Sequence, residues 1–370
     1  MLLFTPGPTP VPANVRDAMS AKTIHHRTPE FEAIFASARA KLFELLQTDE
    51  VVMLSSSGTG AMEACVVNLC HNTLLNINAG KFGERFGKIA QASGLKQEEL
   101  KYEWDTPATV EDVMQKLRQN PEIDAVAIQI SESAGGLRHP VEAIAKSVKE
   151  YNSSIMVIAD GITAVGVESI DTTNIDALIA GSQKALMLPP GLAIVGLSNQ
   201  AVAKTGAGKG YYLNLASEIK KQQQNTTAYT AATTLIIGLL EILETIEQQG
   251  GVVKLYEKTA KRALAVNKAL QAIGLHVYPK SPAPSMTTID DGDAKEIRSL
   301  LKESYNVNVA GGQDHLKGKI FRINQMGLIE NYEMSWVVNA VELVLEKLGR
   351  RTYDGTANRV YCETIFKEQV

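Results

Sequence analysis

The chain has 370 residues, of which 45% are hydrophobic and 21% charged, and a formal net charge of −4. That length predicts two packed domains with sizeable cores, because one domain usually takes roughly 100–200 residues; the composition excludes disordered, collagen-like and coiled-coil chains. The slightly acidic balance lacks the basic footprint that a nucleic-acid partner requires.

In chain order, Pro6, Pro8, Pro10 and Pro12 break the first segment before an apolar signal-peptide core can form, and residues 1–17 read as an N-terminal arm. From residue 50 to about 200, short apolar runs alternate with longer amphipathic ones, the pattern of βαβ units. Strands are predicted at Val51–Ser55, Leu74–Asn76, Asp124–Ser131, Ile155–Asp160, Asp176–Ala180 and Leu192–Leu197, several of them apolar enough to be buried on both faces. Between them, helices are predicted after Gly60, over Thr109–Gln119 with a capping-box-like start at Thr109 and Asp112, and over Pro140–Tyr151. A loop with Gly206, Gly208, Lys209 and Gly210, then a polar stretch at Gln222–Thr227, precede a long helix at Tyr229–Gln249, which Gly250 and Gly251 end.

Beyond it, helices near Val252–Ile273, Asp293–Ser304 and Glu330–Lys347 and strands near His276, Met286–Ile289, Val307 and Ile320–Ile323 read as a compact α+β unit. The expected division is an arm at 1–17, a large domain at 18–250 and a small C-terminal domain at 251–370. From Gly349 the periodicity weakens, which leaves a tail or an exchanged arm. The longest apolar stretches, such as Leu235–Leu243, are interrupted by Gly238 and Glu241 and fall short of the ~20 residues of a membrane span. Cys65, Cys70 and Cys362 form no CxxC pair and have no histidine at metal-ligand spacing, so no metal site and a reduced, cytoplasmic protein are expected.

Three local features carry chemistry. Ser57-Gly58-Thr59-Gly60 follows a strand and opens a helix, where backbone N–H groups converge on an anion; Glu63 stands where a dinucleotide fingerprint needs glycine. Asp160 ends an apolar strand, a position that gathers ligands in open α/β sheets and equally suits a turn or helix-capping aspartate. Lys184 sits in the small-residue segment Ala180-Gly181-Ser182-Gln183-Lys184-Ala185-Leu186, an awkward place for a solvated lysine and a good one for an amine that attacks carbonyls. The second glycine cluster departs from a P-loop, with Ala203 at its first glycine and Gly210 at its hydroxyl position, and reads as a flexible loop. An anion cradle, a strand-end carboxylate and a lysine together match what pyridoxal 5′-phosphate needs for its phosphate, its pyridinium nitrogen and its aldehyde.

On these residues, with Phe4-Thr5-Pro6-Gly7-Pro8, Pro189-Pro190-Gly191 and Phe321-Arg322-Ile323, the chain resembles class V (fold type I) aminotransferases of the alanine-glyoxylate and serine-pyruvate or serine-glyoxylate branch. The resemblance covers nearly the whole chain. It implies an α/β fold with a mostly parallel central sheet plus a smaller C-terminal α+β domain, a pyridoxal-phosphate cofactor, and transfer of an amino group from a small amino acid to a small 2-oxo acid. By it, Lys184 would hold the cofactor as a Schiff base and shuttle the substrate proton, and Asp160 would pair with the pyridine nitrogen. Ser57, Gly58, Thr59 and Gln183 would bind the phosphate, joined by Thr227 and Thr230 from the other subunit of a homodimer.

Phe82 would stack on the cofactor ring, Ile162 would pack on its other face, and Arg322, otherwise an ordinary strand-surface arginine, would clamp the substrate carboxylate. Ala134 and Gly135 stand where relatives commonly have a Ser-Thr pair, which removes a hydroxyl from the expected site. His25, His26 and Arg27 match positions near the substrate entrance and read equally as structural. A cysteine desulfurase is disfavoured, because Phe82 holds the stacking position and no cysteine lies between Cys70 and Cys362. A cofactor-binding accessory protein resembling a soluble hydrogenase subunit is the alternative from another class.

Overall fold

The structure, a computed structural model, describes residues 1–367. Its strands are β1 (Leu2–Phe4), β2 (Glu50–Leu54), β3 (Thr73–Asn78), β4 (Lys96–Lys101), β5 (Ile123–Gln129), β6 (Ser131–Glu132), β7 (Leu137–Arg138), β8 (Met156–Asp160), β9 (Ala177–Gly181), β10 (Ala193–Leu197), β11 (His276–Val277), β12 (Met286–Asp290), β13 (Val307–Gly311) and β14 (Ile320–Asn324). Seven of them form the central sheet in the order β2-β10-β9-β8-β5-β3-β4. From β9 to β4 every pairing is parallel, and β10 alone runs against both its neighbours, β2 and β9. This is the mostly parallel sheet that the apolar runs predict.

Alternation along the strands sends successive side chains to opposite faces. Met53, Val126, Ile128, Val157 and Leu178 enter one core layer, under the helices Pro29–Leu46, Val141–Tyr151 and Thr233–Gln248. Val52, Ala125, Ala127, Ile158 and Ile179 enter the other, under the helices Gly58–Leu69 and Gly83–Ala92. With both faces covered, the crossover connections leave the carboxyl ends of β8 and β9 as the open end of the sheet. β4 carries little apolar signal: it is the edge strand Lys-Gln-Glu-Glu-Leu-Lys, held by pairing with β3, by the ion pair of Glu98 with Lys116 and by Leu100 against the core; the helix Pro29–Leu46 is set by its Thr28 cap and by Phe31, Phe35, Ala38 and Leu42 on one face.

A second, five-stranded sheet has the order β1-β13-β14-β12-β11, so the first residues of the chain form its edge, with Leu2 paired to Val307 and Phe4 to Val309. The helices Gly251–Ala272, Ala294–Tyr305 and Asn331–Lys347 enclose its separate apolar core. The C-terminal segment is neither tail nor exchanged arm. Thr356–Phe366 is a helix whose Ala357, Tyr361 and Ile365, four residues apart, lock into that same core. Val360, Cys362 and Phe366 around this stripe blur its period in the sequence. Among the described residues no helix is long and apolar enough to cross a membrane, and no group of three or more His, Cys, Asp or Glu could hold a metal ion.

Candidate active site

The carboxyl ends of β8 and β9 and the N-terminus of the helix Gly58–Leu69 converge on one cavity of about 220 Å³. Asp160, Lys184, Gln183, Ser57, Gly58 and Thr59 all lie on its wall, as do Phe82 and Ile162. The cradle is a helix N-terminus at which Ser57 makes no side-chain cap bond, so backbone N–H groups remain to face an anion. A Cβ on Gly58 would come within 2.4 Å of Ile162 Cδ1, so a side chain there would displace the Ile162 methyl from the cavity wall.

Asp160 is the last residue of β8, buried, with its Oδ1 accepting the Ile162 N–H at 2.9 Å. Burial pushes its carboxyl up to about 6, against the opposing pull of that N–H and of the Arg85 and Lys184 charges. A buried carboxylate with so little compensation is an electrostatic site for a cation such as a protonated pyridine.

Lys184 is carried by a loop that Ser182 closes: its Oγ donates to the Pro189 carbonyl at 2.8 Å and accepts the Leu192 N–H at 3.2 Å. The N-terminal arm clamps the same loop. Thr9 donates its N–H to the Gln183 carbonyl at 3.1 Å and its Oγ1 to the Lys184 carbonyl at 2.7 Å, while Lys184 Nζ donates to the Pro6 carbonyl. Gly7, at φ +119°, takes a backbone conformation that side chains rarely adopt, and a Cβ on it would lie 2.7 Å from Lys184 Nζ. Burial, helped by the nearby Arg322 charge, pushes the Lys184 ammonium down to about 8, which brings the neutral, nucleophilic amine within reach of neutral pH.

Arg322 on β14 belongs to the second sheet but reaches the Ser133 segment that follows β6. Its Nε and Nη2 donate to the Gly311 carbonyl at 3.1 and 2.6 Å, and its Nη1 donates to the Ser133 carbonyl. Ser133 in turn lines the cavity, so the guanidinium stands at the cavity's edge, between the two sheets. Three hydroxyl residues, Ser131, Ser133 and Thr163, line the wall, with the Ser131 hydroxyl bonded to Ser285 Oγ at 3.0 Å and the Thr163 hydroxyl donating to the Ser131 carbonyl at 2.8 Å.

Three further groups escape a sequence reading. Glu132 is buried under the wall and accepts the N–H of Phe82, Gly83 and Ala134 at 3.0, 2.8 and 2.9 Å, tying the start of one helix to the Ser133 segment. Burial pushes its carboxyl up to about 7. Arg85, three residues after Phe82, joins the wall. His139, with burial pushing it down to about 4, supports the Ala108 N–H at 3.0 Å behind the sheet. Thr227 and Thr230 are not on this cavity; they lie in a separate depression with Ser55 and Tyr229, where Thr230 is exposed. His25, His26 and Arg27 lie outside the cavity as well, with Arg27 bonded to Thr226 at 2.9 Å.

Residues 1–326 match the aminotransferase class-V family. The chain belongs to that family. This class-V aminotransferase is 51% identical to an "uncharacterized aminotransferase" of Helicobacter pylori, over 99% of this chain and all of that one. It is 33% identical to the soluble hydrogenase 42 kDa subunit of Anabaena cylindrica (99% and 98% covered) and 30% identical to the serine–glyoxylate aminotransferase of Hyphomicrobium methylovorum (99% and 94%). Among solved structures it is similar to an aspartate aminotransferase of subgroup IV from Thermus thermophilus, with TM-score 0.87, 32% identity and coverage of 94% and 99%.

The cofactor of this aminotransferase is pyridoxal phosphate, and the residues present fit it: an under-compensated buried carboxylate, an uncapped helix N-terminus and a desolvated lysine share one cavity. A pH dependence follows. Asp160 binds its proton more tightly when folded, about 6 against an ordinary 3.8, so without cofactor it makes stability fall as pH rises through that window. Glu132 acts in the same sense up to about 7, and His139, lowered from 6.5 to about 4, acts in the opposite one. Glu132 and His139 make their contributions with and without cofactor, whereas a pyridinium beside Asp160 offsets the Asp160 penalty. The rise in melting temperature on adding pyridoxal phosphate is therefore expected to be larger at pH 8 than at pH 5. In Asp160→Asn that difference between the two pH values should shrink; an unchanged difference would remove Asp160 from the cofactor site.

Proposed function

We propose that this class-V aminotransferase moves the amino group of a small amino acid, alanine or serine, to glyoxylate, pyruvate or another small 2-oxo acid. The observation that carries the reading is the convergence of Lys184 and Asp160 on one cavity with Arg322 at its edge. Pyridoxal phosphate, when bound, supplies an aldehyde for amine exchange and a pyridinium ring that withdraws electrons. Lys184 would hold the cofactor aldehyde and would carry the proton of the substrate Cα. Asp160 keeps the ring nitrogen protonated. Ser57, Gly58, Thr59 and Gln183 would hold the phosphate, and Phe82 and Ile162 would pack against the ring. Arg322 takes the substrate carboxylate, for which a planar two-donor guanidinium suits better than an ammonium.

The same reading assigns Thr227 and Thr230 to the phosphate of a second copy's site, which makes the working unit a homodimer. Their place outside this chain's own cavity supports it, as does the exposed aromatic cluster beside them, where Tyr211 is 82% exposed and stacks 5.6 Å from Tyr229. The arm, large domain and small domain divide at residues 17 and 250 in this reading, and the free thiols Cys65, Cys70 and Cys362 suit the reducing cytoplasm. The small-substrate assignment draws on the serine–glyoxylate relative.

The test is the visible spectrum of cofactor-loaded protein mixed with single amino acids, alongside its mass by light scattering. Alanine or serine is expected to discharge the yellow band, and glyoxylate or pyruvate to restore it, in a dimer. Discharge by aspartate but not by alanine or serine would overturn the small-side-chain reading. A band that no amino acid moves would bring forward the accessory role suggested by the hydrogenase-subunit relative, and a cofactor-loaded monomer would end the shared-site reading.

A further inference from the structure

Arg85 has no role in the function proposed above, yet it touches that site at several points. Its Nη1 donates to Thr59 Oγ1 at 2.9 Å, which fixes the hydroxyl of the phosphate cradle. Its guanidinium carbon sits 4.7 Å from the centroid of the Phe82 ring, a cation–π contact that covers one face of that ring. Its charge also acts on Asp160 and helps hold that carboxylate ionised against burial. The two residues it touches come from two elements, the helix Gly58–Leu69 and the turn before the helix Gly83–Ala92. The charged groups around the cavity are Asp160, Lys184, Arg322 and the buried Glu132, and no carboxylate lies within ion-pairing distance of Arg85 among the ion pairs of the described residues. A surface arginine would pair with the Glu84 beside it, but Glu84 is taken by Lys81 and Lys88.

We propose that Arg85 is the positioning residue of the cofactor site, a single guanidinium that sets the Thr59 hydroxyl and the Phe82 ring plane together. The proposal rests on the cofactor site described above. Thr59 has free rotation about its side chain unless a donor fixes it, and an aromatic ring at the start of a helix can tilt about two torsions. Arg85 fixes both before the cofactor arrives, so the ordering is not charged against binding. Only arginine does all of this, because the planar fork can stack on a ring and donate sideways at once.

The test uses three variants, Arg85→Gln, Arg85→Lys and Asp160→Asn, each stripped of cofactor and titrated with pyridoxal phosphate. The readouts are the dissociation constant, the pH midpoint of the visible band of the loaded protein, and the melting temperature of the cofactor-free protein. Arg85→Gln is expected to weaken cofactor binding about tenfold. It is also expected to raise the midpoint by about 1 pH unit, since removing a nearby positive charge favours the protonated chromophore. Arg85→Lys keeps the charge and loses the stack and fork, so it should restore the midpoint while leaving the affinity weak.

The melting temperature of the cofactor-free protein should stay near that of the parent. If Arg85→Gln binds cofactor and titrates like the parent while Asp160→Asn does not, the Arg85 proposal fails and the site stands. If Asp160→Asn also behaves like the parent, the site assignment itself fails. If the melting temperature of Arg85→Gln falls sharply and Arg85→Lys does not separate midpoint from affinity, Arg85 is structural and the proposal is wrong.

Discussion

Lys184→Ala is expected to lower the turnover of alanine and serine by about 10⁴-fold, because in the proposed mechanism one substitution removes both the amine for the cofactor aldehyde and the base for the substrate proton. The native amine is primed for both tasks by burial, which brings it down to about 8. Borohydride, which fixes a lysine-bound cofactor to the parent chain, should leave none attached to the variant. The fold should persist, since the side chain makes only the bond to the Pro6 carbonyl while Thr9 grips the loop through backbone atoms. The measurement is steady-state turnover with circular dichroism as the folding control. Retention of a tenth of the parent rate would remove Lys184 from the mechanism.

Arg322→Gln is expected to lower kcat/KM for amino acids by about 10²–10³-fold, the scale of losing a charge-assisted pair to a carboxylate in a desolvated site. Burial pushes the Arg322 guanidinium down to about 10, with Glu132 opposing that shift, so the residue stays charged at neutral pH and is held at the cavity edge by the Gly311 and Ser133 carbonyls. The loss should be specific to the carboxylate. A carboxylate-free amine such as ethanolamine, which gains nothing from the guanidinium, should react with the loaded protein equally slowly in parent and variant. Equal losses for both substrates would mean that the substitution had loosened the Ser133 segment instead. Arg322→Lys should fall between, retaining charge without the two-donor geometry.

The parts of this site legible in the sequence share one property: each announces its setting within a few residues. Asp160 closes an apolar run that can only be a buried strand, Lys184 sits in a loop of small residues just beyond another, and Ser57 to Gly60 mark a strand-to-helix turn. Those elements appear as the spacing predicts. Arg322 needed the family resemblance, since a strand arginine looks the same whether it faces water or a ligand. Ala134 and Gly135 carry no hydroxyl, and only the folded chain shows that Ser133 beside them and the more distant Thr163 line the same wall. The C-terminal helix was illegible for a different reason: its buried stripe is Ala357, Tyr361 and Ile365, and the half-buried Val360 and Cys362 and the exposed Phe366 widen the apolar face until no single period stands out.

The sequence by itself determined the fold class and the cofactor chemistry and singled out Asp160 and Lys184 as candidates, because strand burial and turn composition are local properties and local properties survive in one dimension. Tertiary structure alone decided what holds those residues in place. The arm that clamps Lys184 comes from 175 and 178 positions away, through Thr9 and Pro6. The carbonyl of Ser133 that seats Arg322 is 189 positions from it. Arg85 and Glu132 matter through the elements packed against them. Contacts at such separations depend on how the layers stack, and the same side chain in the same local sequence would be a solvated surface charge under a different packing.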